Sequence, residues 1–479
     1  MACGLAPAEL FCNTLSTHRS GTPMIGKIFK AYDVRALYPD PLNEDAGWKV
    51  GYATGQYLKE QNGQGKLVVS RDHRPAAPSM AEALIKGIRA AGMDVVDLGR
   101  CDTSIQYFAI PHLGGVGGVQ CTASHNPIEY IGFKISREGA KPVGADTGLK
   151  EIEAIARGLE GDCPEPVGNY EEADVWDAYR AHILGFMGEL KRPLKLFVDA
   201  SNGCGIELLD KVFSNVPNLE VITANTEWTD NWAHEPNPLV AENMVPTQDG
   251  VQKHSADLGA CFDGDADRCM LVDDASELCG CDHLTAWLAD HFLKEQPGSS
   301  IVYDLRSSKV VPETIEALGG SPAIAKVGHV NLKAKLRETD GIFGGELSGH
   351  FYFKNNSFAD SGAITLAAAL NVLSQQGEPL SELMAPFRKY PQSGEINFEN
   401  EDKQGTMDAL KAEYGPAGEV MELDGVSIDC WESKGYWFNV RASNTEPLLR
   451  LNAEAKDDKT LAELLTDLKP KLGHESAGH

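Results

Sequence analysis

Short apolar runs that break into polar, charged loops recur along this chain. Three are alike: "KLVVSRDHR" (66–74), "LKLFVDASNGCG" (194–205) and "SIVYDLRSS" (300–308). Each predicts a buried strand running into a loop. Helix-compatible sequence lies behind them, as in "SMAEALIKGIRAAG" (79–92), where apolar positions recur at three- and four-residue steps. Strand, loop and helix in alternation predict parallel sheets with crossover helices.

A second form follows each of these runs: "GVQCTASHN" (118–126), "LGACFDGDADR" (258–268) and "GIFGGELSGH" (341–350). All three are apolar runs ending in loops rich in Gly, Ser, His or carboxylate. Two matched signals occurring three times predict three related α/β units in tandem. Their polar residues fall beyond strand ends, where open α/β sheets bind ligands. After about residue 385 the pattern changes to alternating and aromatic-rich runs such as "GYWFNVRASNTEPLLRLNAEA", which predict a mixed α+β terminal domain. "GDCPEPVGNYEE" (161–172) and "QQGEPLSE" (375–382) are the candidate boundaries.

Length agrees, since 479 residues exceed what one core supports and call for two to four domains. The chain carries 43 basic and 70 acidic side chains, a formal net charge of −27. That field disfavours nucleic acid and anionic membranes as partners, so an anionic ligand needs a local cationic cluster. The N-terminal stretch lacks a basic start and an apolar core, and no run reaches membrane-spanning length, so a cytoplasmic protein is expected. The 11 cysteines are scattered, without C-x-x-C spacing, which fits reduced thiols. The close pair Cys279 and Cys281 is a weak metal-site signal.

Four loops carry candidate chemistry. In "DGDADR", Asp263, Asp265 and Asp267 alternate, so in an extended strand end the three carboxylates would project to one side. Three hard oxygen donors so close call for a cation, naturally Mg²⁺ with room for a substrate phosphate. Arg268 stands where an EF-hand needs glycine, which excludes that motif; a solvated acidic turn is the alternative. In "TASHNP", Ser124 and His125 are neighbours that would point apart in an extended segment, and no G-x-S-x-G elbow is present, so a hydrolytic triad is not indicated. Asn126-Pro127 allows a plain structural turn, whereas a phosphoserine would suit a tri-aspartate cation site. "GGELSGH" alternates Glu346, Ser348 and His350, which suits vicinal sugar hydroxyls or simply a glycine-rich turn. "RASNTEP" sets Arg441, Ser443, Asn444 and Thr445 before a proline, as either a phosphate cradle or a capped turn.

In this order and at these separations, "TASHNP", "DGDADR", "GELSGH" and "RASNTEP" resemble the α-D-phosphohexomutases, specifically the bacterial phosphomannomutase/phosphoglucomutase branch. The likeness runs from "IFKAYDVRALYP" near residue 28 to the last strand near 455. It implies three tandem mixed α/β domains of one fold plus a C-terminal TBP-like α+β domain, heart-shaped around a central cleft. The implied division is 1–169, 170–277, 278–388 and 389–479. It implies Ser124 as phosphoserine, Mg²⁺ on Ser124, Asp263, Asp265 and Asp267, and Arg35, Lys134, Arg268 and His329 in catalysis. Glu346, Ser348 and His350 would hold the sugar, and Arg441, Ser443, Asn444 and Thr445 the phosphate that is not reacting. A hexose 1,6-bisphosphate would be the intermediate and activator, and a monomer is expected, with a dimer as the alternative.

Three positions depart from the family pattern. Ile131 stands where Asn is usual, which removes a polar contact; Ala36 replaces a common glycine and restricts that turn; Arg306 replaces a lysine. Two rival functions fit the same loops, a metal-dependent phosphatase and a non-catalytic sugar-phosphate sensor.

Overall fold

The three look-alike runs are the inner strands of three separate sheets in a computed structural model that describes residues 25–160, 164–443 and 448–476. Lys66–Arg71 lies parallel to Gly117–Cys121, Leu194–Asp199 to Leu258–Phe262, and Ser300–Asp304 to Phe343–Gly345. Each second strand then folds back on an antiparallel partner, respectively Tyr130–Arg137, Cys269–Asp273 and Phe351–Phe353. The sheets are therefore mixed rather than purely parallel. The three hairpin turns so formed carry the serine loop, the three-aspartate loop and the Glu346 loop.

Helices cover the faces of these sheets. The predicted helix at 79–92 is Ala77–Ala90, with Met80, Ala81, Leu84, Ile85 and Ile88 buried. It crosses Glu44–Asn62 closely enough that a Cβ on Gly51 would sit 2.2 Å from the Leu84 carbonyl oxygen, and one on Gly87 2.1 Å from that of Trp48. Gly362–Gln375, apolar all round, is buried on nearly every side against Trp176–Met187 and Cys281–Glu295. It joins the second and third units, and one apolar cluster runs through the first three.

The fourth unit is a six-stranded antiparallel sheet in the order Glu419–Met421, Val426–Cys430, Tyr436–Ala442, Leu448–Ala455, Gln392–Glu399 and His474–Ser476. Helices Lys403–Tyr414 and Asp458–Leu472 pack on it over a separate core. In the first unit, Tyr170–Glu172 pairs with Asp94–Arg100 and extends that sheet past residue 169. The eight described cysteines are free and buried. Cys279 and Cys281 join no metal-ligating group among the described residues. No described helix is long and apolar enough to cross a membrane.

Candidate active site

Ser124 occupies the first hairpin turn in a left-handed conformation, φ 54°, and is 1% exposed. That backbone costs a non-glycine residue roughly 1–2 kcal/mol. Its N–H donates to Thr122 Oγ1 at 2.8 Å, and its hydroxyl donates to Asp263 Oδ2 at 3.2 Å. The left-handed residue also folds His125 back, so Ser124 Oγ and His125 Nδ1 lie 3.4 Å apart and do not diverge as in an extended segment. His125 Nδ1 faces Arg268 Nη2 at 2.9 Å. A guanidinium only donates, so this nitrogen is an acceptor and carries no proton. Burial, then Arg268, Arg35 and Lys134, push the His125 pKa well below the usual histidine range.

The three-aspartate loop is the second hairpin turn. It is not an extended strand end: Ala266 has φ 57°, and this turn, rather than strand alternation, gathers the carboxylates. One oxygen from each of Asp263, Asp265 and Asp267 lies within 4.8 Å of the others, and all three residues are buried. Lys134 Nζ donates to Asp265 Oδ2 at 2.7 Å and to Asp267 Oδ2 at 2.5 Å. Thr103 donates to the same Asp265 oxygen at 2.5 Å. Burial, then Asp267 and Asp265, raise the Asp263 pKa well above the ordinary carboxylate range. Burial alone would raise Asp267 too, but Lys134 and His350 hold it well below that range.

Asp265 Oδ1 and Asp267 Oδ1 are buried without a hydrogen-bond partner. Two such orphaned oxygens in an all-oxygen donor set fit a hard divalent cation of the Mg²⁺ type. A Cβ on Gly264 would lie 2.5 Å from the Ser124 carbonyl oxygen, so only glycine lets the two loops approach this closely.

A cleft of about 940 Å³ brings together Arg35, Ser124, Lys134, Asp267, Arg268, His329, Glu346, Ser348 and His350. Arg35 Nε donates to Asp33 Oδ2 at 3.0 Å, and its Nη1 donates to Asn126 Oδ1 at 2.5 Å, which ties the first strand to the serine loop. His329 opens the helix His329–Thr339, and burial, with Lys333 and His350, pushes its pKa well below the usual range. Glu346 accepts from the Gly328 N–H at 2.9 Å and from the Tyr352 hydroxyl at 2.7 Å. His350 also lines the cleft, and its Nε2 lies 3.3 Å from Arg268 Nε and 3.4 Å from Asp267 Oδ1, so it links the third loop to the second.

Arg441 and Ser443, at the end of the strand Tyr436–Ala442, are not among the residues lining this cleft, and Asn444 and Thr445 lie outside the described residues. Arg441 Nη2 donates to Glu395 Oε2 at 2.6 Å. The same Glu395 oxygen is 3.3 Å from Arg306 Nη1, and Arg306 Nη2 is 2.9 Å from Asp304 Oδ2. Glu395 thus couples the fourth unit to the third, a role that no local motif signals. The other two departures also read differently here. Ala36 lies within the strand Val34–Leu37 and not in a turn, and it pairs directly with Ile131 on Tyr130–Arg137. Both are buried in one core cluster, so Ile131 substitutes packing for polar contact.

A buried serine facing a carboxylate cluster, with cationic side chains converging on one open cleft, defines a phosphoryl-transfer enzyme built on repeated α/β units. Phosphoglucomutase/phosphomannomutase family models match the α/β/α domains I, II and III at residues 26–160, 177–276 and 281–390, and the C-terminal domain at 395–471. A phosphohexose mutase of Xanthomonas campestris pv. campestris is 39% identical over 443 residues, 91% of this chain and 97% of that protein. A phosphomannomutase of Escherichia coli is 37% identical over 451 residues, covering 92% and 97% of the two chains. The crystal structure of a phosphoglucomutase/phosphomannomutase family protein from Burkholderia thailandensis superposes with a TM-score of 0.84 at 33% identity, covering 93% of this chain and 96% of that one. The chain belongs to the phosphoglucomutase/phosphomannomutase family, as a phosphohexomutase.

Proposed function

We propose that the protein moves a phosphoryl group reversibly between the 1- and 6-positions of a hexose, mannose or glucose or both, through phosphoserine at Ser124 and a hexose 1,6-bisphosphate. The observation that carries this reading is Ser124 Oγ, presented from a left-handed turn 3.2 Å from Asp263 at the floor of the cleft. Asp263, Asp265 and Asp267 would hold Mg²⁺ together with the Ser124 oxygen. Bound there, the cation neutralises charge on the phosphate oxygens.

Transfer is in line: the free sugar hydroxyl oxygen bonds to phosphorus as the Ser124 Oγ–P bond breaks. His329, neutral at physiological pH, takes the hydroxyl proton, and Lys134 returns a proton to Oγ. Arg35 and Arg268 face the moving oxygens and stabilise their spreading charge. The bisphosphate then turns end for end within the cleft. Ser124 Oγ gives its proton back to Lys134 as it bonds to the other phosphorus, that sugar P–O bond breaks while His329 returns its proton to the sugar oxygen, and the isomer leaves. Glu346, Ser348 and His350 hold the sugar's 3- and 4-hydroxyls in both orientations, His350 while also bracing the metal loop. Arg441, Ser443, Asn444 and Thr445 grip the idle phosphate.

The cationic groups of the cleft concentrate an anionic substrate on an acidic protein. A monomer is the working form in this reading. The four units proposed for this division of labour are 1–169, 170–277, 278–388 and 389–479.

Ser124→Ala tests the reading. Turnover of mannose 1-phosphate and glucose 1-phosphate should be lost with the melting temperature retained, and glucose 1,6-bisphosphate should restore activity to dephosphorylated wild type. Undiminished Ser124→Ala turnover, or stoichiometric release of inorganic phosphate by wild type, would overturn it.

A further inference from the structure

We propose that Arg74 is the positioning residue that sets the reactive geometry of Ser124, an inference that rests on the phosphoserine reading above. Arg74 lies in the loop between Lys66–Arg71 and the helix Ala77–Ala90 and is 1% exposed. Its Nη2 donates to the carbonyl oxygens of Ser124 at 2.8 Å and Asn126 at 2.6 Å. Its Nη1 donates to those of Pro127 at 2.6 Å and Tyr130 at 3.1 Å. Its Nε donates to Asp72 Oδ2 at 3.1 Å. A guanidinium has five N–H donors, and five acceptors are accounted for. None remains for a substrate phosphate, so Arg74 acts on the loop and not on the ligand.

The same carboxylate closes a second path to the serine. Asp72 Oδ2 accepts from Thr122 Oγ1 at 2.7 Å, and Thr122 Oγ1 accepts the Ser124 N–H at 2.8 Å. Both the N–H and the C=O of Ser124 are therefore held by one buried unit of Arg74, Asp72 and Thr122. The chain from Thr122 to Glu129 forms no strand or helix, so its carbonyls need such a partner. A left-handed serine persists only where its surroundings over-determine it. Arg74 supplies that constraint, aiming Oγ at Asp263 and the cleft. A lysine carries the charge but has three donors and no planar fork, so it cannot replace this clamp.

The test uses the full-length protein, phosphorylated on Ser124 with glucose 1,6-bisphosphate and mixed with glucose 6-phosphate in a single turnover. Arg74→Lys should slow phosphoryl transfer about 100-fold, the scale of a 1 Å misplacement, while KM for glucose 1-phosphate stays within about twofold. Should Arg74→Lys not fold, Thr122→Val gives the second reading: it leaves the buried ion pair intact and frees the Ser124 N–H, and it should slow transfer about 10-fold. A lowered melting temperature with unchanged transfer per folded molecule, in Arg74→Lys or in a folded Thr122→Val, overturns the inference and leaves the mutase reading standing. Absence of transfer in wild type overturns both.

Discussion

Ile131 and Ala36 face each other across the antiparallel strands Tyr130–Arg137 and Val34–Leu37, both inside the core of the first unit. A wholly buried isoleucine beside a small alanine is a packing pair, and its side chains share one face of the sheet. Ile131→Asn, which restores the family's usual amide, should cost about 2–4 kcal/mol through lost apolar contact and a buried amide. Ala36→Gly should cost about 0.5–1 kcal/mol. Urea unfolding followed by a probe in the first unit measures both.

Lys333 and Asp360 form a wholly buried ion pair, with Nζ 2.7 Å from Oδ1 and Tyr107 beneath the ammonium at 4.0 Å. Asp360 also lies 3.7 Å from His350. Lys333→Met strands the carboxylate and should destabilise the protein by about 3–5 kcal/mol. Lys333→Met with Asp360→Leu should recover much of that loss. Chemical denaturation of the two variants side by side checks the pattern.

Asp102 caps the helix Thr103–His112, accepting from the Ile105 N–H at 3.2 Å and the Tyr179 hydroxyl at 2.9 Å. Burial raises its pKa from 3.8 to about 7 despite those bonds. The folded form therefore binds this proton more tightly than the unfolded chain. Stability from Asp102 is full below about pH 4 and declines as pH rises towards 7. Asp102→Asn keeps an oxygen acceptor for both donors and cannot ionise. Melting temperatures taken between pH 4 and 7 should fall less steeply for the variant than for wild type.

The repulsion among the three aspartates separates activity from stability. In protein stripped with a chelator, Asp263→Asn should raise the melting temperature, because it removes a carboxylate whose ionised form is opposed by burial and by its fellows. The same change should lower kcat about 100-fold or more when Mg²⁺ is present. Calorimetry without metal and mutase assays with it test the two halves.

Arg441 is 4% exposed and held by Glu395. If it grips the idle phosphate, it binds ground and transition states alike. Arg441→Ala should then raise KM for glucose 1-phosphate about 10- to 100-fold with little change in kcat.

The hairpin-borne loops were legible in the sequence because an apolar run followed by small polar residues is a strong local signal, and its threefold repetition placed Ser124, Asp263 and Glu346 at equivalent turns. The turn geometry was not legible. Ser124 and Ala266 adopt left-handed backbones without being glycine, so the expected divergence of Ser124 and His125, and the expected extended aspartate loop, both gave way. Nor is the strand pairing of Ala36 with Ile131, which replaces the expected turn, written in the local sequence. Glu395, Arg74 and Asp360 carry no local signal because their partners lie well along the chain, at Arg441, Ser124 and Lys333. Long-range pairing of buried charges leaves no periodicity to read.

In the proposed cycle Ser124 relays the phosphoryl group. The most direct measurement is a rapid-quench single turnover of full-length protein carrying ³²P on Ser124, mixed with unlabelled mannose 1-phosphate and Mg²⁺. The label should leave the protein first as mannose 1,6-bisphosphate and then appear in mannose 6-phosphate. Product formed while the label stays on Ser124, or label released as inorganic phosphate, would contradict the account.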